Sequence, residues 1–157
     1  MPIEKLKTFL DESGVKYAQV THSPAYTAQE IAAAAHIPGK ELAKTVMVKL
    51  DEKMGMAVLP ASYRVDLKKL KKLAKAKKVE LATEEEFREH FPQSEVGAMP
   101  PFGNLYEMPV FVAQPLPEDE QIAFNAGSHS ELLQMAYADF ERLVKPNVGE
   151  FAFKPEA

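Results

Sequence analysis

The length, composition and charge of this chain exclude several classes of protein before any motif is considered. It has 157 residues, 46% of them hydrophobic, a formal net charge of −4 and no cysteine. Without cysteine, disulfide bonds, thiolate nucleophiles and cysteine-based zinc sites are excluded. The length fits one domain. No secretory signal follows the amino terminus and no apolar run is long enough to cross a bilayer, so we expect one cytoplasmic domain over residues 1–157.

The first half of the sequence predicts alternating helices and strands. Apolar spacing predicts helices over 3–12 and, after a capping box, over 27–35, and strands over 15–21, 42–50 and 55–60. The last two strands flank a short polar turn and therefore predict a hairpin. Alternation along 42–50 places Val46 and Val48 on one face of that strand and Met47 on the other.

The second half predicts further short elements of both kinds. We expect a helix capped by Asp66, a strand over 79–81, and a helix that begins with a capping box from Thr83 to Glu86. Further along the chain we expect paired strands over 109–113 and 121–125, a strand over 131–136 and a helix over 139–144. For 131–136 a helix is the alternative. Because strands and helices are interspersed and several strands are joined by tight turns, we expect a single compact α+β domain. Its sheet should be mixed and largely antiparallel, with helices flanking it.

A concentrated run of basic residues interrupts an otherwise acidic chain. Eight basic residues and one acid give residues 64–78 a net charge of +7, so the rest of the chain carries −11. Such a strip could contact the phosphates of a polyanion such as tRNA. The alternative is a solvated helix face. The candidate phosphate ligands are Lys68, Lys69, Lys71, Lys72 and Lys75.

Three short segments place special residues next to predicted strands. Lys44 opens an apolar run, where its charge could hold a phosphate or a carbonyl oxygen, or could simply protect a strand edge. The loop 97–103 has two glycines around a Pro-Pro pair, and its N–H groups could bind an anion or a developing oxyanion; otherwise it is a structural turn. His129 follows Gly127 and could transfer protons near neutral pH, or could be an ordinary surface histidine.

In this order, the three segments resemble the YbaK family, which also occurs as the inserted editing domain of bacterial prolyl-tRNA synthetase. The resemblance extends from about Tyr17 to Phe151. It implies a partly closed, barrel-like sheet, and Lys44, Gly97 and His129 as catalytic residues, with no metal and no cofactor. The residues implied in substrate binding are His22, Tyr26, Thr27, Thr45, Met47, Ala98, Met99, Pro100, Pro101, Phe102, Gly103, Gly127 and Ser128. For Thr27 a helix cap remains the preferred alternative.

The resemblance implies a trans-acting deacylase that hydrolyses the ester of mischarged tRNA, tRNA-Pro or a related one. Its partners would be the acceptor end of an aminoacyl-tRNA and, for some members, a synthetase. The alternative is a non-catalytic module that binds aminoacyl-tRNA or a synthetase, since fold similarity alone does not give activity. A third option is a hydrolase of small aminoacyl esters. The sequence lacks the zinc-hydrolase, P-loop and serine-hydrolase motifs that would favour other chemistries.

Overall fold

The computed structural model describes residues 4–21, 41–91, 98–128 and 130–154. Within these ranges the helices are Glu4–Glu12 (α1), Leu67–Ala74 (α2), Glu84–Arg88 (α3) and Tyr137–Val144 (α4). The strands are Tyr17–Thr21 (β1), Ala43–Leu50 (β2), Lys53–Pro60 (β3), Arg64–Val65 (β4), Val79–Leu81 (β5), Val110–Ala113 (β6), Gln121–Asn125 (β7), Glu131–Ala136 (β8), Asn147–Gly149 (β9) and Ala152–Phe153 (β10). The helix expected over 27–35 lies outside the described residues.

The strands form one large sheet and two smaller ones. The five-stranded sheet has the order β5-β2-β3-β6-β9, the three-stranded sheet has the order β1-β8-β7, and β4 pairs with β10. Pairs β3–β6 and β6–β9 are parallel and the other pairs are antiparallel. The expected α+β domain with a mixed, largely antiparallel sheet is therefore confirmed. The expected barrel-like closure is not supported, because the described strands lie in separate sheets and β5 and β9 form the edges of the largest.

The hairpin and the local caps form where the sequence predicts them. Strands β2 and β3 pair from Ala43–Pro60 to Leu50–Lys53. Asp51 and Glu52 between them both have positive φ, as the tightest hairpin turns require. The capping box at Thr83 is present at the start of α3. Residues 131–136 form strand β8 and not a helix, because this segment pairs with both β1 and β7.

The predicted pairing of 109–113 with 121–125 is wrong. Strand β6 lies between β3 and β9, whereas β7 pairs with β8 in the other sheet. All four residues of β6 are buried, as expected for a central strand with neighbours on both faces. A 3₁₀ turn at Leu116–Glu118, with Leu116 fully buried, separates the two strands and directs the chain into the second sheet.

The hydrophobic core is divided by the five-stranded sheet. The first core cluster joins α1, β2, β3, β6, β7, β8 and α4, and includes Leu10, Met47, Phe102, Phe124 and Phe140. The second core cluster lies beneath α2 and includes Val48, Leu59, Leu70, Phe111 and Phe151. Met47 and Val48 belong to different clusters, which confirms the alternation predicted for this strand. Among the described helices, none combines the length and the apolar character needed to cross a membrane.

Candidate functional site

Lys44 is a half-buried cation at the beginning of β2. It shares a strand face with Val46 and Val48 and lies opposite Leu59 of β3. Partial burial lowers the pKa of its ammonium below the usual value, and the nearby Arg64 guanidinium lowers this pKa further. Within the described part of the chain, neither cation forms an ion pair. Two adjacent positive charges without a counter-ion are an arrangement that favours binding of an anion or a polarised oxygen.

The position of Lys44 along β2 leaves the strand-edge interpretation open. The strand pairs with β3 over its whole length, but β5 pairs only with residues 48–50, so Lys44 has a strand partner on the β3 side alone among the described residues. Leu42, two residues before Lys44, forms a parallel bridge to Ala123 of β7. Lys44 is therefore close to the point where the two larger sheets meet. Thr45 and Met47 lie on the opposite face of β2, where Met47 is 3% exposed and packs in the first core cluster.

The predicted loop at 97–103 and the predicted segment at 127–129 are joined in the structure. The backbone N–H of Gly127 donates a hydrogen bond to the carbonyl oxygen of Ala98, with an N–O distance of 2.9 Å. Gly127 has a φ of 105°, which side-chain-bearing residues rarely adopt. Ser128 follows, half-buried, and its Oγ accepts a weak hydrogen bond of 3.4 Å from the N–H of Ser130. The Ala98–Gly127 junction thus fixes two segments that are far apart in sequence.

The remainder of the loop is packed into the protein. Met99, Pro100 and Pro101 are buried. Phe102 is fully buried, with ring centroids 5.4 to 6.2 Å from those of Phe9, Phe124 and Phe140. A Cβ on Gly103 would lie 2.6 Å from the Met108 carbonyl oxygen, so this glycine allows a close backbone approach. These placements give Phe102 and Gly103 a packing role in the free protein.

Five of the predicted site residues cannot be placed: His22, Tyr26, Thr27, Gly97 and His129 lie outside the described residues. Among the residues that are described, Lys44 lies two residues after the bridge between Leu42 and Ala123, and Gly127, which is bonded to Ala98, lies four residues after Ala123.

Two polar residues near this region were missed by sequence reasoning. Asn125 is the last residue of β7, and its side-chain oxygen Oδ1 is buried without a hydrogen-bond partner in the described ranges of the chain. Glu131 begins β8 with only 9% of its surface exposed. The sequence signal for both residues was a polar side chain next to an apolar strand. Asn125 precedes the Gly127 turn and Glu131 follows it. That signal is weak, because such positions also suit ordinary turn residues.

The basic strip lies on the outer face of α2. Asp66 caps this helix by accepting hydrogen bonds from the N–H groups of Lys68 and Lys69, at 3.0 and 3.2 Å. Leu70 faces the second core cluster and is fully buried. All five candidate phosphate ligands, Lys68, Lys69, Lys71, Lys72 and Lys75, are exposed. Arg64, which is also exposed, lies two residues before the cap and so connects the strip to the surroundings of Lys44.

Several solved structures share the fold. The hypothetical protein APE2540 superposes with a TM-score of 0.85 and 22% sequence identity. The superposition covers 96% of this chain and 100% of the APE2540 chain. A proposed trans-editing enzyme for prolyl tRNA synthetase superposes with a TM-score of 0.81 and 20% identity, covering 95% of each chain. A proposed signal transduction protein from Marinobacter aquaeolei VT8 superposes with a TM-score of 0.76 and 18% identity, over 97% of this chain and 31% of its own. At these identities, the superpositions show a common fold alone.

The family follows from the sequence itself. No curated protein matches the chain. The family model described as the aminoacyl-tRNA editing domain matches residues 22–143, which is most of the chain and includes Lys44 and the Ala98–Gly127 junction. The chain therefore belongs to the aminoacyl-tRNA editing domain family, the YbaK family that its sequence resembles.

Proposed function

We propose that the protein is a trans-acting aminoacyl-tRNA deacylase of the cytoplasm. It removes a wrongly attached amino acid from tRNA-Pro or a related tRNA by hydrolysing the ester to the terminal ribose. Membership of the editing family supports this reaction class. The observation that carries the proposal is the half-buried ammonium of Lys44, which lies beside Arg64 and has no ion-pair partner among the described residues.

In this proposal, Lys44 holds the phosphate or the carbonyl oxygen at the aminoacylated end of the tRNA. Its charge is disfavoured in the free protein by burial and by Arg64. A bound phosphate or a developing oxyanion offsets both effects, and an interaction that strengthens as negative charge develops on the oxygen accelerates the reaction.

The Ala98–Gly127 junction limits which backbone groups can bind the carbonyl oxygen. The N–H of Gly127 already donates to the carbonyl oxygen of Ala98 and is not free to bind substrate. We therefore assign the oxyanion donor to the N–H of Gly97, with the rest of the loop as a wall for the amino acid side chain. His129, two residues after Gly127, orients the substrate or the water.

The reaction needs no covalent intermediate. Water adds to the ester carbonyl carbon, the bond from this carbon to the ribose oxygen breaks, and the ribose oxygen takes up a proton. The free hydroxyl of the same ribose can assist that proton transfer. The products are the free amino acid and uncharged tRNA. An aminoacyl ester is already labile, so positioning and charge stabilisation suffice.

Helix α2 would bind the body of the tRNA through its exposed lysines. Such binding releases counterions, so replacing Lys68, Lys71 and Lys72 together by Gln should weaken binding for every tRNA. The slope of log affinity against log salt should fall by roughly one for each phosphate that the variant no longer neutralises. An unchanged salt slope would show that this strip is only a solvated helix face.

The deciding experiment is deacylation of tRNAs charged with Ala, Cys, Ser or Thr, on tRNA-Pro and on the cognate tRNAs. We compare the wild type with Lys44→Ala and Lys53→Ala. Lys53 is an exposed lysine at the far end of the same hairpin and serves as the matched control. We expect the wild type and Lys53→Ala to hydrolyse one class of aminoacyl group rapidly, and Lys44→Ala to lose this activity.

Two other outcomes contradict the proposal in different ways. No hydrolysis by folded wild-type protein, together with retained binding of aminoacyl-tRNA, would support the non-catalytic module. Equal hydrolysis of aminoacyl-tRNA and of a minimal aminoacyl-adenosine would indicate a hydrolase of small esters.

A further inference from the structure

We infer that Asn125 recognises the free α-amino group of the amino acid, so that the site accepts aminoacyl esters and rejects those whose amine is blocked. The inference rests on the proposed function, because it concerns the same substrate. It assigns a role to a residue that the deacylation mechanism above does not use.

The first observation is an unsatisfied buried acceptor. The Oδ1 atom of Asn125 is buried and has no hydrogen-bond partner among the described residues. Its neighbours in sequence, Ala123, Phe124 and Ala126, are at most 1% exposed, so this end of β7 is buried. Buried polar atoms in folded proteins nearly always have a partner, and leaving one without a partner is destabilising. A ligand that donates a hydrogen bond to Oδ1 would remove this penalty.

The second observation is the register between β2 and β7. Leu42 and Ala123 form a parallel bridge. Side chains alternate along a strand, so the residues two positions further along each chain, Lys44 and Asn125, lie on the same side of this junction. Asn125 is also two residues before Gly127, whose N–H is fixed to Ala98. The unsatisfied oxygen therefore belongs to the region where Lys44 is proposed to hold the ester.

The third argument is the chemistry of the substrate. An aminoacyl ester carries an α-amino group that, when protonated, has three N–H donors and no acceptor. Lys44, Arg64 and backbone N–H groups are themselves donors and cannot bind it. A carboxamide oxygen can, and because it is neutral it does so without forming an ion pair that would neutralise Lys44. Asn125 is thus complementary to the part of the substrate that Lys44 would repel.

The test compares two substrates that differ only at this amine. The substrate is whichever alanyl-, cysteinyl-, seryl- or threonyl-tRNA the wild type hydrolyses fastest, together with the same tRNA after N-acetylation. The variants are Asn125→Leu, which removes the acceptor, and Gln121→Leu, a matched control. Gln121 is an exposed amide on the same strand and the same face, four residues earlier.

We expect the wild type to favour the free amine. Asn125→Leu should reduce kcat/KM for the free amine by roughly 10- to 100-fold, as for a hydrogen bond to a charged group, and leave the N-acetylated substrate unchanged. Gln121→Leu should change neither. Equal losses on both substrates, or no loss on the free amine, would overturn the inference, because a purely structural role cannot distinguish the two substrates.

Folding and the proposed function are controlled separately. Because no described residue bonds to Oδ1, Asn125→Leu should not lower Tm; if it does, Asn125→Ala replaces it in the comparison. If the wild type hydrolyses nothing, the proposed function has failed. The inference is then decided by binding of an amide-linked alanyl-adenosine analogue. Weaker binding to Asn125→Leu than to the wild type, with equal binding of the N-acetylated analogue, would support it, and equal binding of both would overturn it.

Discussion

Lys44 carries a charge that the folded protein disfavours. Burial and the nearby Arg64 lower the pKa of its ammonium from 10.5. The charged form therefore destabilises the fold at neutral pH. This penalty falls as the pH rises from the lowered pKa towards 10.5, and above that value lysine is neutral in both the folded and the unfolded state. A residue retained despite such a penalty is typical of a functional site.

We predict that Lys44→Met raises the stability of the protein while removing its hydrolytic activity. The gain should be no more than about 1 kcal/mol, because a half-exposed charge is screened by solvent. It should be largest near pH 7 and shrink in alkaline solution, which thermal denaturation at several pH values would measure. Lys53→Met, at the exposed end of the hairpin, is the matched control, and the gain at Lys44 should exceed any change that it shows. A Lys44→Met protein less stable than the wild type at pH 7 would contradict the prediction.

Gly103 is constrained by packing and not by an unusual backbone angle. An added Cβ would lie 2.6 Å from the Met108 oxygen and 2.6 Å from a methyl carbon of Val110. We predict that Gly103→Ala lowers the free energy of unfolding by about 1–3 kcal/mol, measured by urea denaturation. Gly14→Ala is the control: its Cβ meets nothing within 4 Å, and only its φ of 71° opposes the change. An unchanged free energy of unfolding for Gly103→Ala would contradict this packing role.

At the scale of secondary-structure elements, the short helix α3 depends on one carboxylate. Glu86 accepts a hydrogen bond from the backbone N–H of Thr83 and forms an ion pair with Lys49 of β2. Its own N–H donates to the Thr83 hydroxyl, which completes the capping box. The hydrogen bonds from Lys49 and from the Thr83 backbone lower the pKa of Glu86 to about 2. The ionised carboxylate thus fixes this helix to the five-stranded sheet.

We predict that Glu86→Gln removes part of the acid sensitivity of the protein. A lowered carboxyl pKa contributes stability above the unfolded value of 4.5, and this contribution is lost as the pH falls through about 2. In chemical denaturation between pH 5 and pH 2, the wild type should lose more stability than Glu86→Gln. Glu85→Gln is the matched control, because the described residues supply no ion-pair partner for Glu85. Parallel pH profiles for the wild type and Glu86→Gln would refute this role.

The elements that could be predicted from sequence are those determined by neighbouring residues. The hairpin at Asp51 and the capping box at Thr83 depend on contacts within a few positions, so their residue patterns are sufficient. The partner of β6 depends on burial of both its faces, which no local pattern reveals. The same distinction holds for the site. Lys44 is conspicuous as a cation in an apolar strand, whereas Asn125 gains its significance only from the bridge between Leu42 and Ala123.

At the scale of the whole molecule, the loop that carries Ala98 is built on the first core cluster, whereas Lys44 lies on the other face of the five-stranded sheet, opposite Leu59 of the second core cluster. Phe102 lies in the first core cluster against Phe124 of β7 and Phe140 of α4. Phe102 lies in the same loop as Ala98, whose carbonyl oxygen accepts a hydrogen bond from the N–H of Gly127. Phe111 is of similar burial but belongs to the second core cluster, on the other side of the sheet. Damage to the first cluster should therefore displace the loop directly, whereas damage to the second should not.

We predict that Phe102→Leu and Phe111→Leu each lower the free energy of unfolding by about 1–2 kcal/mol, because both leave space in a packed core. Phe102→Leu should in addition reduce kcat of the folded protein, since the smaller side chain no longer holds the loop that positions Ala98. Phe111→Leu should reduce kcat less, because Phe111 does not belong to the cluster that holds the loop. The measurements are urea denaturation, followed by deacylation rates at a temperature where all three proteins are folded. Equal rates for Phe102→Leu and the wild type would show that the loop is positioned by the Ala98–Gly127 bond alone, independently of the core beneath it.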